Sequence, residues 1–137
     1  MLGYPHDVQK MVLGNDGILK HMKSGAYLID HTTSSPALAK EIFEASKVLD
    51  VRSVDAPVSG GDIGAKNACL VTMVGGNAAD VTHLKPLLDV YSAEVQHMGE
   101  AGAGQHTKAA NQIMISHNIF GVCEALIYGH KSGLNLD

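Results

Sequence analysis

Short apolar runs that stop at an acid, a glycine or a proline alternate along this chain with longer segments of helical period, and that alternation constrains the fold most. Residues 26–30 (AYLID), 51–56 (VRSVDA), 69–74 (CLVTMV) and 93–98 (AEVQHM) read as strands. Residues 7–22 read as two short helices broken at Gly14-Asn15-Asp16-Gly17. A helix is predicted from Pro36 to about Leu49, capped by Ser34 or Ser35, with Leu38, Ile42, Ala45 and Leu49 on one face. Residues 78–91 repeat at helical period through Val81, Leu84, Leu87 and Leu88, with Pro86 as a weak point. From Ala101 onward, apolar residues such as Ile113, Met114, Ile115, Ile119, Phe120, Val122, Leu126 and Ile127 fall on almost every face. That pattern predicts a buried helix, long enough to leave one domain and enter another. The whole succession predicts an α/β fold with a mostly parallel sheet, whose ligands sit beyond the carboxyl ends of the strands.

Two segments carry chemistry. After the strand at 51–56, the chain breaks at Pro57 and opens into Ser59-Gly60-Gly61. A hydroxyl beside backbone N–H groups that no Cβ shields can cradle a carboxylate. The plainer reading is a turn that needs glycine for positive φ. The second segment sets Lys108, Asn111 and Gln112 on one helix face, three and four residues apart. A lysine lining a cleft has its pKa lowered by burial and can exchange a proton with a substrate hydroxyl. A surface lysine and an ordinary polar stripe are the competing readings.

Several classes of function lose support. The formal charge of −4 and the lack of a dense Lys/Arg run give no electrostatic reason to expect nucleic acid. No apolar run approaches membrane-spanning length. The first ten residues lack the features of a signal or transit peptide. None of the eight histidines forms a metal-ligand pair with another histidine or with a cysteine. Cys69 and Cys123 are expected as reduced thiols in apolar surroundings rather than as a disulfide. No G-x-G-x-x-G occurs near the start. Gly102-Ala103-Gly104-Gln105-His106-Thr107 imitates one, but Thr107 replaces the third glycine, so it reads as a flexible lead into the helix.

The strings DAPVSGG (55–61), GAKNACLVTMVGG (64–76) and GAGQHTKAANQ (102–112) occur in that order, and with them the chain resembles the β-hydroxyacid dehydrogenases over essentially its whole length. Within that family it is most similar to 3-hydroxyisobutyrate dehydrogenase and tartronate semialdehyde reductase. The resemblance implies a Rossmann-like fold, NAD or NADP as cofactor and a small hydroxyacid substrate. Further implications are a homo-oligomeric full-length form, a place in valine catabolism, and a mitochondrial or cytoplasmic location.

It also implies roles for residues. Lys108 is the catalytic lysine, taking the hydroxyl proton as hydride leaves for nicotinamide or returning it in reduction. Ser59, Gly60 and Gly61 hold the substrate carboxylate, with Asn111 as the first choice of amide and Gln112 beside it. Thr33 contacts the nicotinamide-side ribose. Leu2, Gly3 and Asp7 match a cofactor-contacting loop in which the family commonly has Leu-Pro followed by asparagine. Ala68 stands where a glycine is usual.

Measured against the family, residues 1–100 correspond to the C-terminal part of the cofactor domain. Residues 101–137 correspond to a catalytic interdomain helix leading to an all-helical domain. The expectation is therefore a middle fragment, without tight NADH binding or turnover by itself. Two other readings stand beside this one. A 6-phosphogluconate-type dehydrogenase typically has histidine before its second amide, where this chain has Ala110-Asn111. A non-catalytic truncated product would instead bind a partner through an exposed half-sheet.

Overall fold

A computed structural model describes residues 1–136. The chain opens with helix α1 (Pro5–Leu13) and a single 3-10 turn at Ile18–His21. Strand β1 (Tyr27–Asp30) and helix α2 (Pro36–Val48) follow. Ser35 is the cap of α2, its hydroxyl accepting the Leu38 N–H at 3.4 Å, and Pro36 occupies the first helical position. Strand β2 (Arg52–Asp55) leads through Pro57 to a two-residue strand β3 (Val58–Ser59) and a short helix α3 (Gly61–Lys66). Strand β4 (Leu70–Gly75), helix α4 (Ala78–Leu88), strand β5 (Ser92–Gly99) and the long helix α5 (Ala103–Lys131) complete the order.

The expected strands and helices are all present. β3 and α3 are additions, since the sequence reads as a loop there. The sheet is mostly parallel. β1 runs parallel to β2 from Tyr27↔Arg52 to Asp30↔Asp55, and β4 runs parallel to β5 from Leu70↔Ser92 to Gly75↔Gly99. β2 meets β4 antiparallel at Asp55↔Gly75, and β3 pairs antiparallel with β4 at Val58↔Thr72 and Ser59↔Val71.

Cores lie on both faces of the inner part of the sheet, which is why β1 and β4 are apolar runs, whereas the outer strand β5 is largely exposed. On one face Val8, Val12, Leu19, Leu38, Ile42 and Val51 form a core with Leu28 of β1 packed against it. On the other, Val54, Val74, Val81, Leu84 and Leu88 pack with Tyr27 and Ile29. Successive β1 side chains therefore go to opposite cores, as strand geometry requires.

Two expectations need correction. The helix after Ala101 is not buried along its length: Phe120 is 70% exposed, and Ile113, Ile119 and Leu126 are also exposed. Only its first turns rest on β2, β4, β5 and α2. At 1.5 Å per residue its 29 residues extend about 43 Å, farther than the sheet beneath them. Beyond those turns most side chains are exposed, although Gly129 is buried beneath Leu134 and Leu136. Cys69 and Cys123 are free, as expected, but both are exposed rather than buried. Cys69 lies just ahead of β4, and Cys123 lies on the uncovered part of α5.

Ala68 adopts φ +53°, in the left-handed region where a Cβ is strained. Ala68→Gly is expected to raise stability by about 0.5–1 kcal/mol, relief of strain exceeding the entropy that glycine adds to the unfolded chain. Urea unfolding checks this, and a lower midpoint would contradict it.

Candidate active site

The corner after β2 is shaped by its glycines. Gly60 (φ +125°) and Gly61 (φ +62°) carry the chain from β3 into α3 through conformations that L side chains rarely adopt. A Cβ on Gly60 would also sit 3.1 Å from Leu70 Cδ2. The half-buried Ser59 is thus held by strand pairing on one side and a tight turn on the other.

Lys108, two turns into α5, points at that serine. Its Nζ donates to Ser59 Oγ at 2.9 Å, and Asn111 Nδ2 donates to the same oxygen at 3.0 Å. Lys108 is only 8% exposed, and burial lowers its pKa from the ordinary lysine value. A serine hydroxyl has two acceptor sites and one proton. With both acceptor sites filled, the Ser59 O–H is left to donate outward, which suits an anion. Gln112 is exposed, and its Oε1 lies 3.5 Å from Asn111 Nδ2.

The start of α5 is fixed by residues to which the sequence assigned no role. Asp55, 4% exposed, accepts the N–H of Gly102 at 2.7 Å on one carboxylate oxygen and that of Gln105 at 2.9 Å on the other. Burial raises the Asp55 carboxyl above its usual range, and these two N–H groups pull it back. Gln105, 2% exposed, donates through Nε2 to the Thr32 carbonyl at 2.7 Å, while its Oε1 accepts the Ser34 N–H at 2.8 Å. His31 lies between the Ala56 carbonyl (Nδ1, 2.7 Å) and the Tyr91 hydroxyl (Nε2, 2.9 Å).

The Gly102–Gly104 stretch is therefore a tight packing point and not a flexible lead. A Cβ on Gly104 would lie 2.4 Å from the Met73 carbonyl oxygen and 2.7 Å from that of Asp55. The Gly102 N–H is committed to Asp55 and that of Ala103 to the Glu100 carbonyl, and a carboxylate at this helix start opposes a phosphate there. A strand-end acid facing a glycine-rich helix start was the available signal for Asp55; Gln105 gave none.

The remaining sequence candidates gather around the turn after β1. Thr33 is exposed, between the buried Thr32 and the half-buried Ser34. The Leu2 N–H donates to Thr32 Oγ1 at 2.9 Å, which brings Leu2-Gly3 beside that turn. Asp7 is used locally, accepting the Tyr4 N–H at 3.1 Å where α1 begins. Among the described residues, no group of three or more His, Cys, Asp or Glu comes together to hold a metal ion. No helix among them is long and apolar enough to cross a membrane.

Residues 1–99 match the family described as the NAD binding domain of 6-phosphogluconate dehydrogenase. Residues 102–137 match the NAD-binding family of NADP-dependent 3-hydroxyisobutyrate dehydrogenase. The uncharacterized oxidoreductase YkwC of Bacillus subtilis is 50% identical over 134 residues, covering 98% of this chain and 46% of that protein. The 3-hydroxyisobutyrate dehydrogenase of Pseudomonas aeruginosa is 36% identical over 135 residues, covering 98% of this chain and 45% of that one. Among solved structures, Mycobacterium tuberculosis 3-hydroxyisobutyrate dehydrogenase with L-serine superposes with a TM-score of 0.90 at 31% identity, covering 99% of this chain and 46% of that one. The chain spans about half the length of the curated relatives it matches.

Proposed function

The chain belongs to the β-hydroxyacid dehydrogenase family, and from that membership we propose that it serves an NAD(P)-dependent oxidoreductase of small β-hydroxyacids, similar to 3-hydroxyisobutyrate dehydrogenase. The observation that carries the reading is the shared Ser59 oxygen, which Lys108 and Asn111 both reach. The Ser59 hydroxyl, with the backbone N–H groups of Gly60 and Gly61, anchors the substrate carboxylate. A nitrogen 2.9 Å from the anchoring oxygen suits a substrate whose carboxylate and hydroxyl lie only a few bonds apart. Lys108 Nζ then accepts the hydroxyl proton in oxidation, or donates it to the carbonyl oxygen in reduction. Asn111 holds the serine or the substrate in register, with Gln112 at the open rim.

The nicotinamide cofactor, when bound, supplies the hydride acceptor or donor. The donor set of this chain fits it: Thr33 presents an exposed hydroxyl at the carboxyl end of β1, where ligands of such sheets bind. Leu2 and Gly3 lie against the same turn, and Gln105, which bonds that turn, precedes Lys108 by one helical turn. Asp7 would join this side only by giving up its bond to Tyr4. The division at residue 100 has the support of the two family matches, which meet there. The mitochondrial naming of plant relatives and the presence of bacterial ones support a mitochondrial or cytoplasmic site.

The test is turnover of short β-hydroxyacids by the intact protein with NAD and with NADP. Ser59→Ala is expected to raise the substrate KM about tenfold to a hundredfold, with the cofactor KM little affected. Failure of the intact protein to turn over any such acid, or a substrate KM indifferent to Ser59, would count against the reading.

A further inference from the structure

Three segments must converge for this site to exist, and they come from distant parts of the chain. The turn at 31–35 carries Thr33, the corner at 55–61 carries Ser59, and the first turns of α5 carry Lys108. Two buried polar side chains tie all three. Asp55, four residues before Ser59, holds the N–H groups of Gly102 and Gln105. Gln105, three residues before Lys108, grips the 31–35 turn from both sides, through the Thr32 carbonyl and the Ser34 N–H. These four bonds all run between separate segments of the chain.

We propose that Asp55 and Gln105 are positioning residues for the reaction, setting the Lys108 amine against Ser59 and the 31–35 turn against both. This rests on the functional reading above. Neither residue touches the substrate; each acts through the placement of α5. Charge-assisted bonds from Asp55 fix where the helix starts, and the paired bonds of Gln105 fix its rotation about that point. A misplacement of the amine by about 1 Å is enough to cost roughly a hundredfold in rate. Ser59 stays on its own strand pairing with β4, so the anchor for the carboxylate is not moved.

Gln105→Met keeps the side-chain volume and removes both side-chain links. In the intact protein it is expected to lower kcat about tenfold to a hundredfold with the substrate KM little changed. The 15N NMR titration of the Lys108 ammonium is expected to move up toward the ordinary lysine value as water reaches it, a shift that a purely structural role distant from the amine would not produce. Asp55→Asn keeps one acceptor, and an intermediate loss is expected; it provides a second reading should Gln105→Met fold poorly. Native kcat together with an unmoved Lys108 titration in both variants overturns the proposal. So does a loss that only tracks the fraction unfolded. Lys108→Ala run in parallel separates the two claims: full activity there sinks the functional reading, whereas an inactive Lys108→Ala beside unaffected Gln105 and Asp55 variants sinks this inference alone.

Discussion

Replacing Lys108 with alanine is expected to lower kcat of the intact protein by about a hundredfold to ten-thousandfold, the range general acid–base catalysis supplies, with cofactor affinity little changed. The amine touches Ser59 and no group on the Thr33 side, so cofactor contacts survive its removal. The pH dependence follows from the direction of its shift. Oxidation needs the neutral amine, whose fraction grows as pH rises through the lysine pKa. Burial lowers that pKa, so the rise in kcat/KM comes at lower pH than for an ordinary lysine. In the reduction direction the charged form is required, and activity falls over the same interval. Initial rates across pH in both directions check this, and an unchanged kcat for Lys108→Ala would remove the residue from its role.

Gly104→Ala is expected to have the second-largest effect. The added methyl group would meet two backbone carbonyl oxygens and Asp55 Oδ2, the last at 2.9 Å. Backbone on two strands cannot step aside as a flexible side chain can, so the helix start must lift. A cost of about 1–3 kcal/mol in stability is expected, from overpacking. Lifting also moves Lys108 from Ser59, and a loss in kcat of about a hundredfold should accompany the lower melting temperature. Thermal unfolding and kinetics measured on one preparation decide it; a variant as stable and active as the parent would show that the contact yields.

The alternation of apolar runs with helical period was enough to give the layered fold, because each strand that lies between two helical layers must be apolar on both faces. The site was legible where chemistry and spacing coincide locally: Ser59-Gly60-Gly61 is contiguous, and Lys108 and Asn111 share a helix face. The resemblance implies that they serve one site; that both reach the Ser59 oxygen, 49 and 52 residues away along the chain, is visible only in the fold. Gln105 was hidden because its partners lie 71 and 73 residues away, and a glutamine inside a glycine-rich run carries no mark of burial. β3 and α3 are too short for either periodicity to register. The apolar residues of α5 are plain in the sequence, but the burial they imply is not found beyond its first turns. Its coverage depends on what packs there, which residue pattern does not specify.

Pinning α5 at one extremity has a mechanical consequence. For a rod pivoting near Gly104, displacement grows with distance along the axis, and Lys108 lies only four residues from the pivot. A tilt of about 5° would carry the far terminus by roughly 3.5 Å and the Lys108 backbone by roughly 0.5 Å, at 1.5 Å of rise per residue. The reactive nitrogen thus occupies the quiet end of a lever, where a given tilt displaces it least.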